Sequence, residues 1–171
     1  EFLDTKFNII DTPGSDDFVG GVYSAFSVAE NGILLVNATQ GVEVGTEIFA
    51  RHAVKHQKPL IIAVNQLDNE KQDWQATIDS LKATFGNKVV LVQYPVNPGP
   101  DFDTFIDVLK MKMYKFKDEN GTRESFEIPD EYKEEALALQ QQLVEMAAEN
   151  DETLMETFFD KGVLTEDEIR A

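Results

Sequence analysis

The chain has 171 residues, 42% of them hydrophobic, no cysteine and a formal charge of −17. That is apolar material enough for one sizeable core with an appended subdomain; it excludes disulfides and cysteine-based metal sites, and it fits a reducing compartment. The acids concentrate in residues 111–171, 17 against 7 bases, a surface that repels nucleic-acid backbones except at local patches; no apolar stretch reaches membrane-spanning length.

Four short apolar runs punctuate the first half: Phe7–Ile10, Ile33–Val36, Leu60–Val64 and Val89–Val92. They begin 26, 27 and 29 residues apart. Each is rich in β-branched residues and lacks alternation, as parallel strands buried on both faces do. Helical patterns fill the gaps. Asp16–Glu30 carries Phe18, Val22, Phe26 and Ala29 on one side, Thr46–His56 follows Gly45, and Trp74–Phe85 aligns Trp74, Ile78, Leu81 and Phe85. Strands alternating with helices predict right-handed βαβ units in a doubly wound, mostly parallel α/β sheet.

The pattern changes after Val92. Tyr94–Pro100, with three prolines and a glycine, reads as a connecting loop and a boundary. The expected division is a partial nucleotide-binding domain over residues 1–100 and an acidic α+β subdomain over 101–171. Within the latter, Phe102–Leu109 suggests a short helix, Met111–Phe116 a strand, Asp118-Glu119-Asn120-Gly121 a turn, and Glu124–Ile128 the returning strand. Asp130 caps the longest helix, whose stripe is Tyr132, Ala136, Leu139, Leu143 and Met146. A further helix is expected from Asp151, with Leu154 and Phe158 on its face. A capping box at Thr165-Glu166-Asp167-Glu168 starts another.

Two stretches carry chemistry. The first is Asp11-Thr12-Pro13-Gly14, at the carboxyl end of the first apolar run, where ligands of open α/β sheets sit. An Asp there holds Mg²⁺ directly or through water, and a glycine amide faces a phosphate oxygen. The other reading is an ordinary Asp-Pro-Gly turn after a strand. The second stretch is Asn65-Gln66-Leu67-Asp68, after the third run. A carboxylate at Asp68 can accept two hydrogen bonds from the N1–H and amino edge of guanine, which adenine does not offer. Asn65 would brace the loop and meet the other base edge.

With both motifs in order, and a late acidic insert, the chain resembles the GTPase domain of bacterial elongation factor G. The likeness runs over essentially all of it: DTPG with Asp17-Phe18, Ala29-Glu30-Asn31-Gly32, Thr39-Gln40-Gly41-Val42, NQLD, and an inserted subdomain over Phe102–Ala171. The resemblance implies a P-loop NTPase-type fold, GTP or GDP with Mg²⁺, and a cytoplasmic protein. It also implies ribosome-dependent translocation, with ribosomal RNA and the ribosomal stalk protein as contacts, and no role for DNA or membrane. Carried over by residue, Asp11 is the Mg²⁺-linked acid, and Thr12, Pro13 and Gly14 belong to the segment beside the γ-phosphate. Asn65, Gln66 and Asp68 hold the base.

Departures from the family pattern count as well. No GxxxxGKS/T loop occurs anywhere in the sequence; the family's first switch threonine and last base-contacting segment are absent too. The chain opens Glu1-Phe2 without methionine. It is therefore read as a piece beginning after the phosphate loop and ending inside the insert, and by itself it is expected to hold no GTP and to be inactive. The family histidine after DTPG, which positions the attacking water, is Ser15 here; a short hydroxyl does not reach where an imidazole does. Gln66 replaces the family lysine, with an aliphatic stem that can still cover a base. His52 and His56 are expected at the surface and Trp74 in the core. Three functions stay open: an active ribosome-stimulated GTPase, a GTP-dependent ribosome-binding factor with impaired hydrolysis, and a nucleotide-independent structural domain. The acidic face of the long helix is either a stalk contact or simply solvated.

Overall fold

The computed structural model describes residues 4–118, 120–149, 154, 156 and 157. Its two sheets differ in kind. The first pairs β1 (Gly32–Asn37) with β2 (Leu60–Asn65) in parallel, in register from Gly32 opposite Leu60 to Asn37 opposite Asn65. Three helices accompany it: α1 (Val19–Val28), α2 (Val44–Lys55) and α3 (Trp74–Phe85). The expected helices thus form, α3 with the predicted bounds. A capping box of Glu43 and Thr46 starts α2, and the Asp73 carboxylate accepts from the Ala76 amide at 2.9 Å to start α3.

Burial on β1 alternates. Leu34 and Val36 are buried, and Val36 meets Ile78 and Leu81 of α3; Ile33, Leu35 and, on β2, Ile61 are exposed. The expectation of strands buried on both faces holds for one face only. On the margin of this sheet, α1 comes close to Gly32. A Cβ there would stand 2.7 Å from the Leu60 side chain and 3.1 Å from the Phe26 ring, so any side chain at Gly32 would force these neighbours to shift.

The second sheet is antiparallel, in the order β3 (Gln93–Pro95), β4 (Thr104–Asp107), β5 (Lys112–Phe116), β6 (Arg123–Phe126). Helix α4 (Asp130–Glu149) closes one face. Tyr94, Ile106, Val108 and Ile128 form a core there with Ala136 and Leu139. Trp74 and Leu91 pack against this core and also against the Val36–Ile78–Leu81 cluster, so these two residues join the two halves.

Three expectations from the sequence fail. Phe7–Ile10 forms no strand: Phe7, Ile9 and Ile10 are exposed, and no ladder pairs them among the described residues. A strand exists only with a partner row for its amides and carbonyls, and apolar content does not supply one. Val89–Val92 is a lead-in, half-buried up to Leu91 and exposed at Val92; pairing starts where the Val92 carbonyl accepts from the Val108 amide at 2.9 Å, and the strand itself runs Gln93–Pro95, reaching into the stretch read as a loop. Phe102–Leu109 contains β4 and no helix. β4 is paired on both edges by β3 and β5, Ile106 packs in the core with Ala136 and Leu139 of α4, and Phe105 packs on Tyr114 and Phe116. Thr104 to Asp107 are therefore all buried, and such a strand cannot be told from a short helix by periodicity. The predicted strands at β5 and β6 form, and Asp118 turns the chain between them by accepting from the amides of Asn120 and Thr122. Of the helix expected from Asp151, Leu154, Glu156 and Thr157 are described and are helical; Phe158 and the capping box at Thr165 lie outside the described residues.

Candidate functional site

The carboxyl ends of β1 and β2 lie side by side, with Asn37 and Asn65 in register. Both strands end in Val-Asn, and the shared ending sets Asn37 directly beside Asn65. The Asn37 carboxamide oxygen accepts from the amide and the hydroxyl of Thr39, each at 2.9 Å, and folds the chain back on itself. Gly41 follows with φ of +70°. A Cβ there would fall 2.9 Å from the Ser80 hydroxyl, so Thr39–Val42 sits tight on α3.

Ala38, only 1% exposed, ties the two strand ends together. Its amide donates to the Asn65 carbonyl at 2.9 Å, and its carbonyl accepts from the Asp73 amide at 2.8 Å and the Thr77 hydroxyl at 3.2 Å. The loop from Asn65 to Asp73 is therefore pinned at both ends. Gln66 takes a left-handed backbone, φ +61°, and its carbonyl accepts from the Asn69 amide at 3.1 Å. An L-residue there costs about 1–2 kcal/mol, so the surrounding hydrogen bonds hold it. The Gly99 amide donates to the Leu67 carbonyl at 2.7 Å, which links this loop to the segment after β3. The result presents Asn65, Gln66 and Asp68 exposed on a fixed turn.

The Asp11–Ser15 segment is held from one side. Pro13 is in van der Waals range of Gly21 in α1, 3.8 Å from a Cβ built there, and the Ser15 carbonyl accepts from the Phe18 amide at 3.0 Å. Asp11, Pro13, Gly14 and Ser15 are exposed and Thr12 is half-buried. A Cβ on Gly14 would touch nothing within 4 Å, so internal packing does not require the glycine and a ligand can approach its backbone. Among the described residues no set of three or more His, Cys, Asp or Glu is placed to hold a metal. A hard cation at Asp11 would need the oxygens of a bound phosphate and of water for the rest of its shell, the usual arrangement for Mg²⁺. Among the described residues no backbone hydrogen bond joins Asp11–Ser15 to Asn65–Asp68; the first is held against α1, the second by β2 and its bonds to Ala38 and Gly99. A groove of about 410 Å³ lies between the end of α3 and α4, lined by Lys82, Val90 and Glu145 among others, and contains neither motif.

The model of the family described as the elongation factor Tu GTP binding domain matches residues 2–161. The chain belongs to this family. It is 36% identical over 166 residues to elongation factor G of Thermotoga neapolitana, covering 96% of this chain and 24% of that protein. A crystal structure of a protein from Thermus thermophilus matches it with a TM-score of 0.79 at 31% identity, over 93% of this chain and 24% of that one. The resemblance to elongation factor G and the α/β fold class are thereby borne out. The chain spans about a quarter of the length of these relatives. The family motifs stand on the elements just described, DTPG ahead of α1 and NQLD at the end of β2. Of the other expectations, Trp74 is half-buried in both cores and His56 is exposed; His52 is half-buried beneath Tyr23.

Proposed function

We propose that this chain is part of a ribosome-associated, elongation factor G-like GTP-binding protein that promotes translocation in the cytoplasm, with hydrolysis impaired at Ser15. The carrying observation is Asn65-Gln66-Leu67-Asp68, exposed on a pinned turn at the carboxyl end of a parallel strand in a member of this GTP-binding family. In this reading Asn65 and Asp68 select guanine and Gln66 covers the base. Thr12, Pro13 and Gly14 lie along the γ-phosphate, and Asp11 carries Mg²⁺ through water. Residues 1–100 act as the nucleotide-binding part and 101–171 as the inserted acidic subdomain. The exposed Glu134, Glu135 and Glu145 of α4 face the ribosomal stalk protein, while other parts of the protein meet ribosomal RNA.

Ser15 follows Gly14 on an exposed segment, where its hydroxyl is too short to hold a water in line with the γ-phosphorus. Phosphoryl transfer of this kind depends on positioning and charge stabilisation, so binding survives and turnover falls. The test is multiple-turnover GTP hydrolysis on ribosomes by the intact protein and its Ser15→His variant, with GTP affinity measured in parallel. A gain of about 10²-fold or more in the variant at unchanged affinity is expected. Ordinary family-level turnover with Ser15 in place refutes the impairment, and no GTP affinity in either form refutes the whole reading. The 171-residue chain alone, lacking a GxxxxGKS/T sequence, binds no GTP in this account; micromolar binding by calorimetry would contradict it.

A further inference from the structure

His52 and His56 stand one turn apart on α2, so their side chains leave the same face of the helix. Their ring centroids are 4.3 Å apart, tilted by 43°. Tyr23 of α1 stacks on His52 at 3.9 Å and Phe26 meets it edge-on at 5.6 Å. These are ring–ring contacts, not hydrogen bonds. Among the described residues neither imidazole makes a hydrogen bond. Two adjacent imidazoles with uncommitted nitrogens are a ligand pair, and neither GTP nor the ribosome has a use for them in the reading above.

We propose that His52 and His56 form a two-histidine site for a borderline transition-metal dication, Cu²⁺, Ni²⁺ or Zn²⁺, with water completing its coordination. Two imidazole nitrogens at ~2.0–2.1 Å from one ion stand roughly 3 Å apart. Rotation of the exposed His56 ring reaches that arrangement from the observed 4.3 Å centroid separation. Histidines at i and i+4 on a helix supply two zinc ligands in metalloprotease helices by the same geometry. Lys55 lies beside the pair and opposes any cation held by charge alone. Binding therefore comes from the nitrogen–metal bonds, which selects imidazole-seeking ions over Mg²⁺ and Ca²⁺. With no third His, Cys, Asp or Glu grouped there among the described residues, the site is open and exchangeable, and Cu²⁺ is its tightest ion. An ion bound here fixes the His52 ring and with it the seat of Tyr23. It thus holds α1, the helix that follows Asp11–Ser15, against α2.

The test titrates Cu²⁺ into the metal-free intact protein, wild type, His52→Gln and His56→Gln. Calorimetry counts sites, and electron paramagnetic resonance reports the coordinated nitrogens. The wild type is expected to bind one ion more than either variant, or to bind it at least roughly tenfold more tightly, with two nitrogens on the metal and no displacement by millimolar Mg²⁺. His56 is exposed, so His56→Gln keeps the fold, which circular dichroism verifies. That variant decides the matter if His52→Gln loosens the Tyr23 stack. Equal stoichiometry and affinity in the wild type and His56→Gln overturns the proposal. A single coordinated imidazole overturns it too, as does displacement by Mg²⁺.

Discussion

The parallel pair β1–β2 and the antiparallel sheet β3–β6 show two ways of using the same apolar residues. Around β4 the apolar chains close on themselves: Ile106 and Val108 are fully buried, and α4 seals one face. Around β1 one face is packed on α3, while Ile33, Leu35 and Ile61 stay exposed and the DTPG segment runs past without joining the sheet. Yet the family motifs belong to the half with the open sheet face, and the sealed half carries neither. Chemistry is placed at strand ends and turns, where backbone and side chains are exposed; stability comes from closed cores, where they are not. Substitutions should therefore separate the two properties by region.

The largest effect should come from the sealed half. Ile106→Ala empties a fully buried position in the β4 core and should cost about 2–5 kcal/mol, read from denaturant unfolding. Guanine selectivity of whatever folded protein is left should not change. A change in base preference would couple the two halves more tightly than Trp74 and Leu91 suggest.

The converse is Asp68→Asn in the intact protein. The side chain is exposed, so unfolding midpoints should stay put. Loss of a paired contact to the guanine edge should cost about 1–3 kcal/mol of GTP binding, while xanthosine triphosphate gains, since the amide donates where the carboxylate accepted. Equal GTP and XTP affinity before and after the substitution removes Asp68 from the base site.

How far the sequence reveals each half follows from the same contrast. Motif chemistry is local, so Asp11–Gly14 and Asn65–Asp68 are readable from four residues each. The helices α2 and α3 are readable too, because capping and a 3.6-residue period are local signals. Pairing is not local. Nothing within Phe7–Ile10 says whether a partner strand lies beside it, and nothing within Thr104-Phe105-Ile106-Asp107 says that strands flank it on both sides. The left-handed Gln66 was not readable either, because its backbone is held by bonds from neighbours brought in by the fold.

Thr77 tests whether the pinned turn matters to the site. Its hydroxyl donates to the carbonyls of Ala38 (3.2 Å) and Asp73 (2.7 Å), and the residue is 2% exposed. Thr77→Val keeps the shape and removes the hydroxyl, at a cost of about 1 kcal/mol in unfolding. If the turn positions Asp68, GTP affinity should weaken by a further small factor in the intact protein. If stability alone falls, the pinning serves the fold.

The smallest expected effect, and the one that tells most about the sealed half, is at Tyr94. Its hydroxyl is buried without a hydrogen-bond partner among the described residues, and the residue is 5% exposed. Burial, with help from the nearby Glu135 and Tyr132, pushes its ionisation from 10.0 up to about 12. The neutral phenol is thus favoured in the folded state. Below pH 10 both states keep the proton and the contribution is fully present. Between pH 10 and about 12 the unfolded chain loses it while the folded chain does not, so stability falls as pH rises through that window. Tyr94→Phe deletes an unsatisfied buried donor and keeps the ring. It should leave stability at about pH 7 unchanged or raise it by up to about 1 kcal/mol. It should also flatten the fall between pH 10 and about 12 relative to wild type, measured as the difference in unfolding midpoints of the two proteins at each pH. A loss of stability in the phenylalanine variant at neutral pH would mean that the hydroxyl has a hydrogen-bond partner in solution, and that the β3–α4 core is less sealed than its packing suggests.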